Sequence, residues 1–426
     1  MLYDSGSQVV NGLLSTHKLN EMILIERFGT APRVPAAATV ASKEKSLIAT
    51  DKRSISKINP IKVDEPALIK LKKERDPHKL FNLFRENAQN KLVIENRFAF
   101  IVAVSRLAGA GRFDYIQTLL EEQKALPQGR REGFMVRIIM LYGSVGMMKN
   151  AINTFYDMHL YGCQRTVKSL NAALKVLTLS RDSEAIEKFL RDVSLKFDIR
   201  LDILSLNIIV KAFCEMGIPD KAYLLMVQME MKGINPDVVT YTTLISFFYK
   251  INRVEISNGL WNLMVLKGCT PNIATYNVRI QYLVKRERPW DAIKLLRLMH
   301  KVRINADEIT CNLVIKGLCR AGFLDMAIRV YSTMHGHGLK PNDQIYQTMI
   351  HYLSKAGNFD LAYSLCKDSM SKKWFPSVDS IIILLKGLRV NGGLSGIEKA
   401  RHVIRLAKTR DPPFSEDQLK AMQSIL

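Results

Sequence analysis

The sequence is dominated by an internal repeat with a period of 35 residues. Proline, glycine, methionine, alanine and tyrosine all recur in one register. The clearest series are Pro236, Pro271, Pro341 and Pro376, and Met229, Met264, Met299 and Met334. One fixed period shared by several residue types is the signature of a repeat architecture. We therefore expect a stack of similar units and not one single-core domain.

Each unit reads as a helical hairpin. In residues 238–272, apolar side chains at helical spacing predict a first helix over Val239–Tyr249 and a second over about Glu255–Leu266. Gly268 then ends the second helix, and Pro271 prevents its continuation. One hairpin cannot bury its own apolar face, so neighbours must stack into an all-α solenoid. A long coiled coil, the rival for this period, is disfavoured because every unit contains a helix-breaking proline or glycine.

The register sets the expected domain organisation. Eight repeats fill residues 97–377, a degenerate first repeat precedes them at 61–96, and a degenerate ninth repeat with a C-terminal cap follows at 378–426. Asp76 followed by Pro77 predicts a helix start. Residues 1–60 lack the period, and 27–43 is basic, alanine-rich and free of acidic residues. We expect 1–60 to be an organellar transit segment or disordered.

Composition excludes several classes of function. Lys and Arg number 62 against 40 Asp and Glu, and this net charge of +22 indicates a polyanionic partner, nucleic acid in preference to a membrane surface. The longest stretch without charge, 5–17, is too short for the ~18 apolar residues of a membrane span. The cysteines contain no C-x-x-C pair, which disfavours disulfides and zinc sites. No P-loop, G-x-S-x-G or aspartate cluster occurs, so we expect no enzyme, no cofactor and no metal.

The repeat sequence itself resembles a known family. The segments 239–245 (VTYTTLI) and 268–272 (GCTPN), with 274–277 and 338–342, resemble the pentatricopeptide repeat. Uniform 35-residue units are similar to the P-type subclass, and the chain resembles small organellar members found in land plants. The resemblance implies a right-handed α-solenoid that binds single-stranded RNA with one base per repeat. We expect the protein to be a monomer.

The resemblance also implies which residues bind RNA. In the family, the fifth residue of a repeat reads the base edge, the last residue supports it, and the second residues of adjacent repeats sandwich the base. Five repeats carry such reading pairs: Asn171 with Asp202, Asn207 with Asp237, Thr242 with Asn272, Asn277 with Asp307, and Asn312 with Asn342. By the family's code they select a core of U-U-A-U-(C/U). The sandwiching residues are Leu204, Val239 and Ile309, whereas Lys168, Ala274 and Gln344 depart from the usual valine.

Other readings of these positions remain open. An asparagine at the fifth place could act only as a helix-start cap. Outer repeats carry Ile101, Val136 and Ile382 at that place and cannot make the polar contact, while Gln347 with Ser377 is ambiguous. We expect the repeated methionines, Cys214 and Cys319 to be core residues. The three tryptophans are expected to pack against helices and not to stack on bases: Trp261, Trp290 and Trp374.

Basic residues also recur in the register, on the first helix of each unit. One series is Lys250, Lys285, Arg320 and Lys355, and another is Lys175, Lys211, Lys316 and Lys386. We expect them to contact phosphates, with a slope of log affinity on log salt near −3 for ~4–5 contacts. Cations at helix C-termini also complement the helix dipole, and the two roles are compatible.

Three functions are compatible with the sequence. The first is an RNA-binding protein that acts in processing, stabilisation, splicing or translation of organellar transcripts. The second is a structural RNA-binding subunit of the mitochondrial ribosome or another ribonucleoprotein. The third is a protein-binding scaffold, against which the reading pairs and the net charge of +22 argue. We expect a mitochondrial location, with the chloroplast as the alternative.

Overall fold

The computed structural model describes residues 66–197, 199–336 and 338–426. All regular elements in these ranges are helices. The described residues form two compact units, which divide between Pro236 and Asp237. The transit segment expected at 1–60 lies outside the described residues.

The first unit contains eleven α-helices in its described part. They are α1 Pro66–Lys73, α2 Pro77–Glu86, α3 Lys91–Glu95, α4 Arg97–Gly109, α5 Phe113–Ala125, α6 Glu132–Ser144, α7 Met148–Asp157, α8 Val167–Thr178, α9 Ser183–Lys196, α10 Ile203–Glu215 and α11 Pro219–Met231. Short 3₁₀ helices follow α5 and α7, at Pro127–Arg130 and Met158–Tyr161. As the sequence predicts, Asp76 is the N-cap of α2, and its side chain accepts the backbone N–H of Lys79.

The second unit continues with α12 to α22 in its described part. They are α12 Val238–Lys250, α13 Val254–Leu266, α14 Ile273–Lys285, α15 Pro289–Lys301, α16 Glu308–Arg320, α17 Leu324–Gly336, α18 Asp343–Lys355, α19 Phe359–Ser371, α20 Val378–Asn391, α21 Gly393–Ala407 and α22 Glu416–Gln423. The predicted hairpin of 238–272 is observed within one residue at each helix end.

The hairpins stack through their first helices. In the second unit, α12, α14, α16, α18 and α20 pack successively side by side, and each also packs against the second helix of its own hairpin. In the first unit, α6, α8 and α10 pack in the same way. Close approach requires small residues at some contacts, since a Cβ on Gly317 of α16 would lie 2.6 Å from Cγ2 of Val284 on α14. Each unit is thus an all-α stack of helical hairpins, which confirms the expected fold class.

Loops between hairpins are fixed by local chemistry. Gly268 follows α13 with φ of 73°, a left-handed conformation that glycine adopts without steric cost. The amide N–H of Cys269 then returns to the carbonyl of Met264 at 3.0 Å. The last residue of each central repeat caps the next first helix, so the 35-residue period fixes where each helix begins.

The core matches most of the expectations. The repeated methionines are buried, as are Cys214 and Cys319. Burial raises the pKa of both thiols to about 12, so they remain protonated at neutral pH. Trp261 is buried and packs edge-to-face on Tyr276, as expected. Trp290 packs edge-to-face on Phe323 and Trp374 lies 6.0 Å from the Tyr346 ring, as expected, although they are 46% and 37% exposed.

Candidate nucleic-acid interface

The last and fifth residues of the repeats meet at the start of the first helices. Asp202 and Asp307 are the N-caps of α10 and α16 and accept the backbone N–H of Ser205 and Thr310, both at 2.7 Å. Asn277 is the fifth residue of α14, just past its first turn, and does not cap it. The alternative that a fifth-place asparagine acts only as a helix-start cap is therefore wrong. The cap is supplied by the last residue of the preceding repeat.

The reading pair of the sixth repeat is joined by hydrogen bonds. Nδ2 of Asn277 donates to Oδ1 of Asp307 at 3.3 Å, although the two residues are 30 apart in sequence. The Thr310 hydroxyl donates to Oδ1 of Asn277 at 2.6 Å and lies 2.7 Å from Oδ1 of Asp307. Three side chains from adjacent repeats thus form one closed cluster, which fixes the orientation of the amide.

The same cluster occurs in the first unit. Nδ2 of Asn171 donates to Oδ1 of Asp202 at 3.2 Å, and the Ser205 hydroxyl donates to Oδ1 of Asn171 at 2.7 Å. In both clusters the hydroxyl occupies the amide oxygen and the carboxylate occupies one amide N–H. The carboxylate engages one of the two N–H groups of each amide and leaves the other as a donor, in a side chain that is 6% exposed at Asn171 and half-buried at Asn277. Such a donor suits a carbonyl oxygen on the edge of a pyrimidine.

Both carboxylates stay charged at neutral pH. Burial alone would raise the pKa of Asp202 and of Asp307, but hydrogen bonds from the following Ser or Thr and from the asparagine outweigh it. The pKa of each carboxyl is consequently lower than usual. A charged acceptor strengthens the bond from the amide and increases the polarisation of its remaining N–H.

The pair of Thr242 and Asn272 is connected indirectly. Asn272 caps α14 by accepting the backbone N–H of Thr275 at 3.1 Å. The Thr275 hydroxyl lies 2.8 Å from the Thr242 hydroxyl and 3.1 Å from Oδ1 of Asn272. Thr275 thus bridges the two predicted reading residues. The shorter threonine side chain leaves more space at this position than asparagine does.

The pair of Asn312 and Asn342 is organised differently. Nδ2 of Asn312 donates to Oε1 of Gln344 at 3.1 Å, while Asn342 caps α18 through the backbone N–H of Ile345. Ile345 stands where the other repeats have Ser or Thr and supplies no hydroxyl. Oδ1 of Asn312 is in consequence buried with no hydrogen-bond partner among the described residues.

The pair of Asn207 and Asp237 falls on either side of the division between the units, and each residue is described by itself. Asn207 lies within α10, at the same helical position as the other reading asparagines. Asp237 caps α12 and accepts the backbone N–H of Thr240 at 2.9 Å.

Sequence reasoning missed the residues that join these pairs. They are Ser205, Thr275, Thr310 and Gln344. The first three follow the capping-box pattern, in which a cap is followed three residues later by a residue that reaches back to it. The recurrence of Asp or Asn followed by Ser or Thr at this spacing would have identified them.

The predicted sandwiching residues are accessible. Leu204, Val239 and Ile309 are 48%, 56% and 59% exposed, although each is a large apolar side chain next to a polar cluster. Lys168, Ala274 and Gln344 at the equivalent positions are exposed as well. An exposed aliphatic side chain beside a donor group can contact the apolar face of a base.

The basic residues of both series lie on the first helices and are exposed. They stand four and eight residues after the fifth place, and such spacings keep side chains on one face of a helix. The residues eight places after the fifth are the last residues of their helices, for example Lys250 of α12 and Lys285 of α14. They therefore also complement the helix dipole. Lys211 is 3.7 Å from Glu215, a contact between two exposed groups that stabilises little.

Outer repeats lack the polar cluster. Ile101 stands at the fifth place of its repeat and is 52% exposed, and Val136 and Ile382 are half-buried. None of the described helices is long and apolar enough to cross a bilayer. Within the same described residues, no group of three or more His, Cys, Asp or Glu side chains is arranged to hold a metal ion.

Comparison with known proteins identifies the repeats. The model of the PPR repeat family matches residues 201–250, 236–280, 271–320 and 306–348, and the PPR repeat model matches 345–373. The mitochondrial pentatricopeptide repeat-containing protein At1g80150 of Arabidopsis thaliana is 60% identical over 216 residues, which cover 51% of this chain and 54% of that protein.

Two further relatives and one solved structure are similar to this chain at lower sequence identity. The small ribosomal subunit protein mS78 (rPPR3a) of Arabidopsis thaliana is 33% identical over 214 residues, covering 50% of this chain and 52% of that protein. The protein mL103 (rPPR7) of the same subunit and organism is 32% identical over 194 residues, covering 45% and 47%. The chain spans about half the length of the curated relatives it matches. The pentatricopeptide repeat protein PPR10 from maize has a TM-score of 0.48 at 16% identity, covering 82% of this chain and 57% of that one. Residues 201–373 thus match models of the pentatricopeptide repeat, and the chain is similar to P-type proteins of plant organelles.

Proposed function

We propose that this protein binds single-stranded RNA and reads a core of U-U-A-U-(C/U), one base per repeat. The observation that carries the proposal is the cluster of Asn277, Asp307 and Thr310, which recurs with Asn171, Asp202 and Ser205. Each cluster holds an asparagine amide in one orientation with one N–H left to donate. A fixed donor is what base discrimination requires, since a freely rotating amide would accept either edge.

The remaining parts of the surface have complementary roles. Thr242 offers a short hydroxyl and more space, which suits a purine. Exposed Val239 and Ile309 contact base faces, and the lysines of the first helices contact phosphates. The protein acts by occupancy of its RNA, and no described residue of the site supplies catalytic chemistry.

We further propose that the RNA is a mitochondrial transcript. The support is the 60% identity to At1g80150, a protein whose name includes its mitochondrial location. Occupancy of a transcript can block exonucleases, hold a start site open, or assist processing or splicing. The chloroplast is the alternative location.

A second candidate function is that of a structural subunit of a ribosome. It is favoured by the 33% and 32% identities to the small ribosomal subunit proteins mS78 and mL103. Exposed Ile101 at a fifth place also suits a contact with protein or folded RNA better than base reading.

Binding of the full chain to short RNAs tests the first proposal. One RNA contains UUAUC and the other contains the same bases scrambled, and both are titrated at two salt concentrations. We expect at least a tenfold preference for UUAUC, which Asn171→Ala combined with Asn277→Ala abolishes. The control combines Asn262→Ala with Asn358→Ala, two exposed asparagines on or beside second helices, and it keeps the preference.

Equal and salt-sensitive binding to both RNAs would refute base reading. Co-sedimentation of the native protein with ribosomes then tests the second candidate. A ribosomal subunit remains bound through washes at high salt, whereas an RNA reader is released.

A further inference from the structure

The second unit contains a cavity of about 390 Å³ away from the reading clusters. It lies between the hairpin of α12 and α13 and the hairpin of α14 and α15. Its charged lining residues are Arg279, Arg288, Lys294 and Asp291. The volume is within the ~300–1,000 Å³ of small-molecule sites.

Arg279 is out of place for a residue of this fold. It is the seventh residue of its repeat, a position that is aliphatic and buried in other repeats, as Leu244, Val314, Met349 and Leu384 show. The side chain of Arg279 is half-buried, and its guanidinium carbon lies 5.0 Å from the centroid of the Trp261 ring. The described residues provide it with no hydrogen bond and no ion pair. A partly desolvated cation without an anion is costly, so the position has a cost that packing does not explain.

The other charges do not offset Arg279. Asp291 is the single carboxylate of the lining, and it is engaged by Arg288 at 2.7 Å and by Lys294 at 3.4 Å. Three cations therefore face one carboxylate. The charged side chains of the lining thus sum to +2.

The rest of the lining is mostly apolar and aromatic. Tyr249 and Tyr282 stack with their centroids 4.3 Å apart, and the Tyr249 hydroxyl donates to Oδ1 of Asn258 at 2.8 Å. The Arg286 guanidinium carbon lies 5.7 Å from the centroid of the Tyr282 ring. Because Tyr249 and Tyr282 stack on each other, neither ring offers its inner face to a base. Leu295 and Leu298 complete an apolar wall.

This cavity is separate from the base-reading surface. Arg279 follows Asn277 by two residues, which is about 200° around an α-helix. The two side chains therefore leave α14 on nearly opposite faces.

We propose that the cavity binds the phosphate of a small organic phosphomonoester of nucleoside monophosphate size. Arg279, Arg288 and Lys294 bind the dianionic phosphate, since arginine and lysine are the side chains that recognise phosphate in proteins. The apolar wall contacts the organic part. The proposal goes beyond RNA reading and does not depend on it.

Calorimetric titration of the full chain at low salt tests this site. The probes are uridine monophosphate, uridine, inorganic phosphate, and a short RNA with or without a 5′-phosphate. We expect uridine monophosphate to bind at least tenfold more tightly than uridine or inorganic phosphate. A gain from the 5′-phosphate on the RNA would identify an RNA end as the source of the phosphate, and no gain would identify a free nucleotide.

The decisive variant is Arg279→Met. Methionine occupies the equivalent position as Met349, so the variant keeps the fold and melts at or above the temperature of the parent protein. We expect it to weaken binding of uridine monophosphate at least tenfold. Arg297→Met, which removes an exposed charge of α15 outside the cavity, leaves binding unchanged. The proposal is overturned if Arg279→Met binds uridine monophosphate as tightly as the parent protein does. It is also overturned if uridine or inorganic phosphate binds as tightly as uridine monophosphate, or if no probe binds at millimolar concentration.

Discussion

Replacing Thr310 by valine removes one hydroxyl from the cluster that holds Asn277 and keeps the shape of the side chain. Thr310 is 0% exposed, and its hydroxyl is 2.6 Å from Oδ1 of Asn277. The variant leaves this half-buried amide oxygen without its donor from the protein. A buried acceptor without a partner costs about 1–3 kcal/mol. We expect Thr310→Val to lower the free energy of unfolding by about 2 kcal/mol.

The measurement must be local, because stacks of repeats unfold in parts. Hydrogen exchange of the backbone amides in the first turns of α14 and α16 reports the opening of this cluster, and urea unfolding reports the overall effect. A double-mutant cycle with Asn277→Ala isolates the contact, for which we expect a coupling of about 0.5–3 kcal/mol. The matched control is Thr333→Val, whose hydroxyl is exposed and bonds the carbonyl of Arg329, with an expected effect within about 0.5 kcal/mol.

Two results would refute this reasoning. If Thr310→Val is as stable as the parent protein, the hydroxyl does not satisfy the amide. If the effects of Thr310→Val and Asn277→Ala simply add, the two side chains are not coupled. In either case the amide is free to rotate, and the proposed basis of base discrimination fails.

Three further outcomes follow from the structure. The pKa values of Asp202 and Asp307 are lowered on folding, so their stabilising contribution is present at neutral pH and is lost as pH falls below the ordinary carboxyl pKa of about 4. Thermal melts should show that Asp202→Asn combined with Asp307→Asn loses less stability in acid than the parent protein does. A pH profile identical to that of the parent would contradict this. Gly317→Ala should lower the free energy of unfolding in urea by about 1–3 kcal/mol, because its Cβ meets Val284. Adding Val284→Ala should recover part of that loss. If Gly317→Ala is as stable as the parent protein, the two helices can separate to admit the methyl group. Removing three first-helix lysines should change the slope of log RNA affinity on log salt from about −3 to about −1. Those lysines are Lys250, Lys285 and Lys355. The control removes three exposed cations of second helices, Arg297, Lys301 and Lys367. An equal change of slope in the control would exclude a specific role of the first-helix lysines in phosphate binding.

Much of the fold could be predicted from the sequence because the signals are local. The spacing of apolar residues gave the two helices of 238–272 within one residue, and Gly268 ends the second helix as expected. The expected helix start at Asp76 and the buried methionines are observed for the same reason. Helix caps, left-handed glycines and apolar periodicity each act within a few residues, and a repeat presents the same evidence many times.

The chemistry of the site could be predicted only in part. The sequence alone nominated Asn277 and Asp307 as a pair through the family resemblance, and their assignment to a base remains a prediction. The capping-box spacing marks Thr310 as a partner of Asp307 but not of Asn277. The sequence also did not show that Asn312 would bond Gln344 instead of Asn342.

The sequence by itself determined the period, the hairpin and the excess of positive charge, because these depend on residue order and composition. The tertiary structure alone decided which side chains meet. Thr310 reaches Asn277 because the next first helix packs beside α14, and Arg279 lacks an anion because the lining of its cavity contains one carboxylate that is already paired. Such partnerships depend on distances between separate helices, and a local pattern of residues does not specify them.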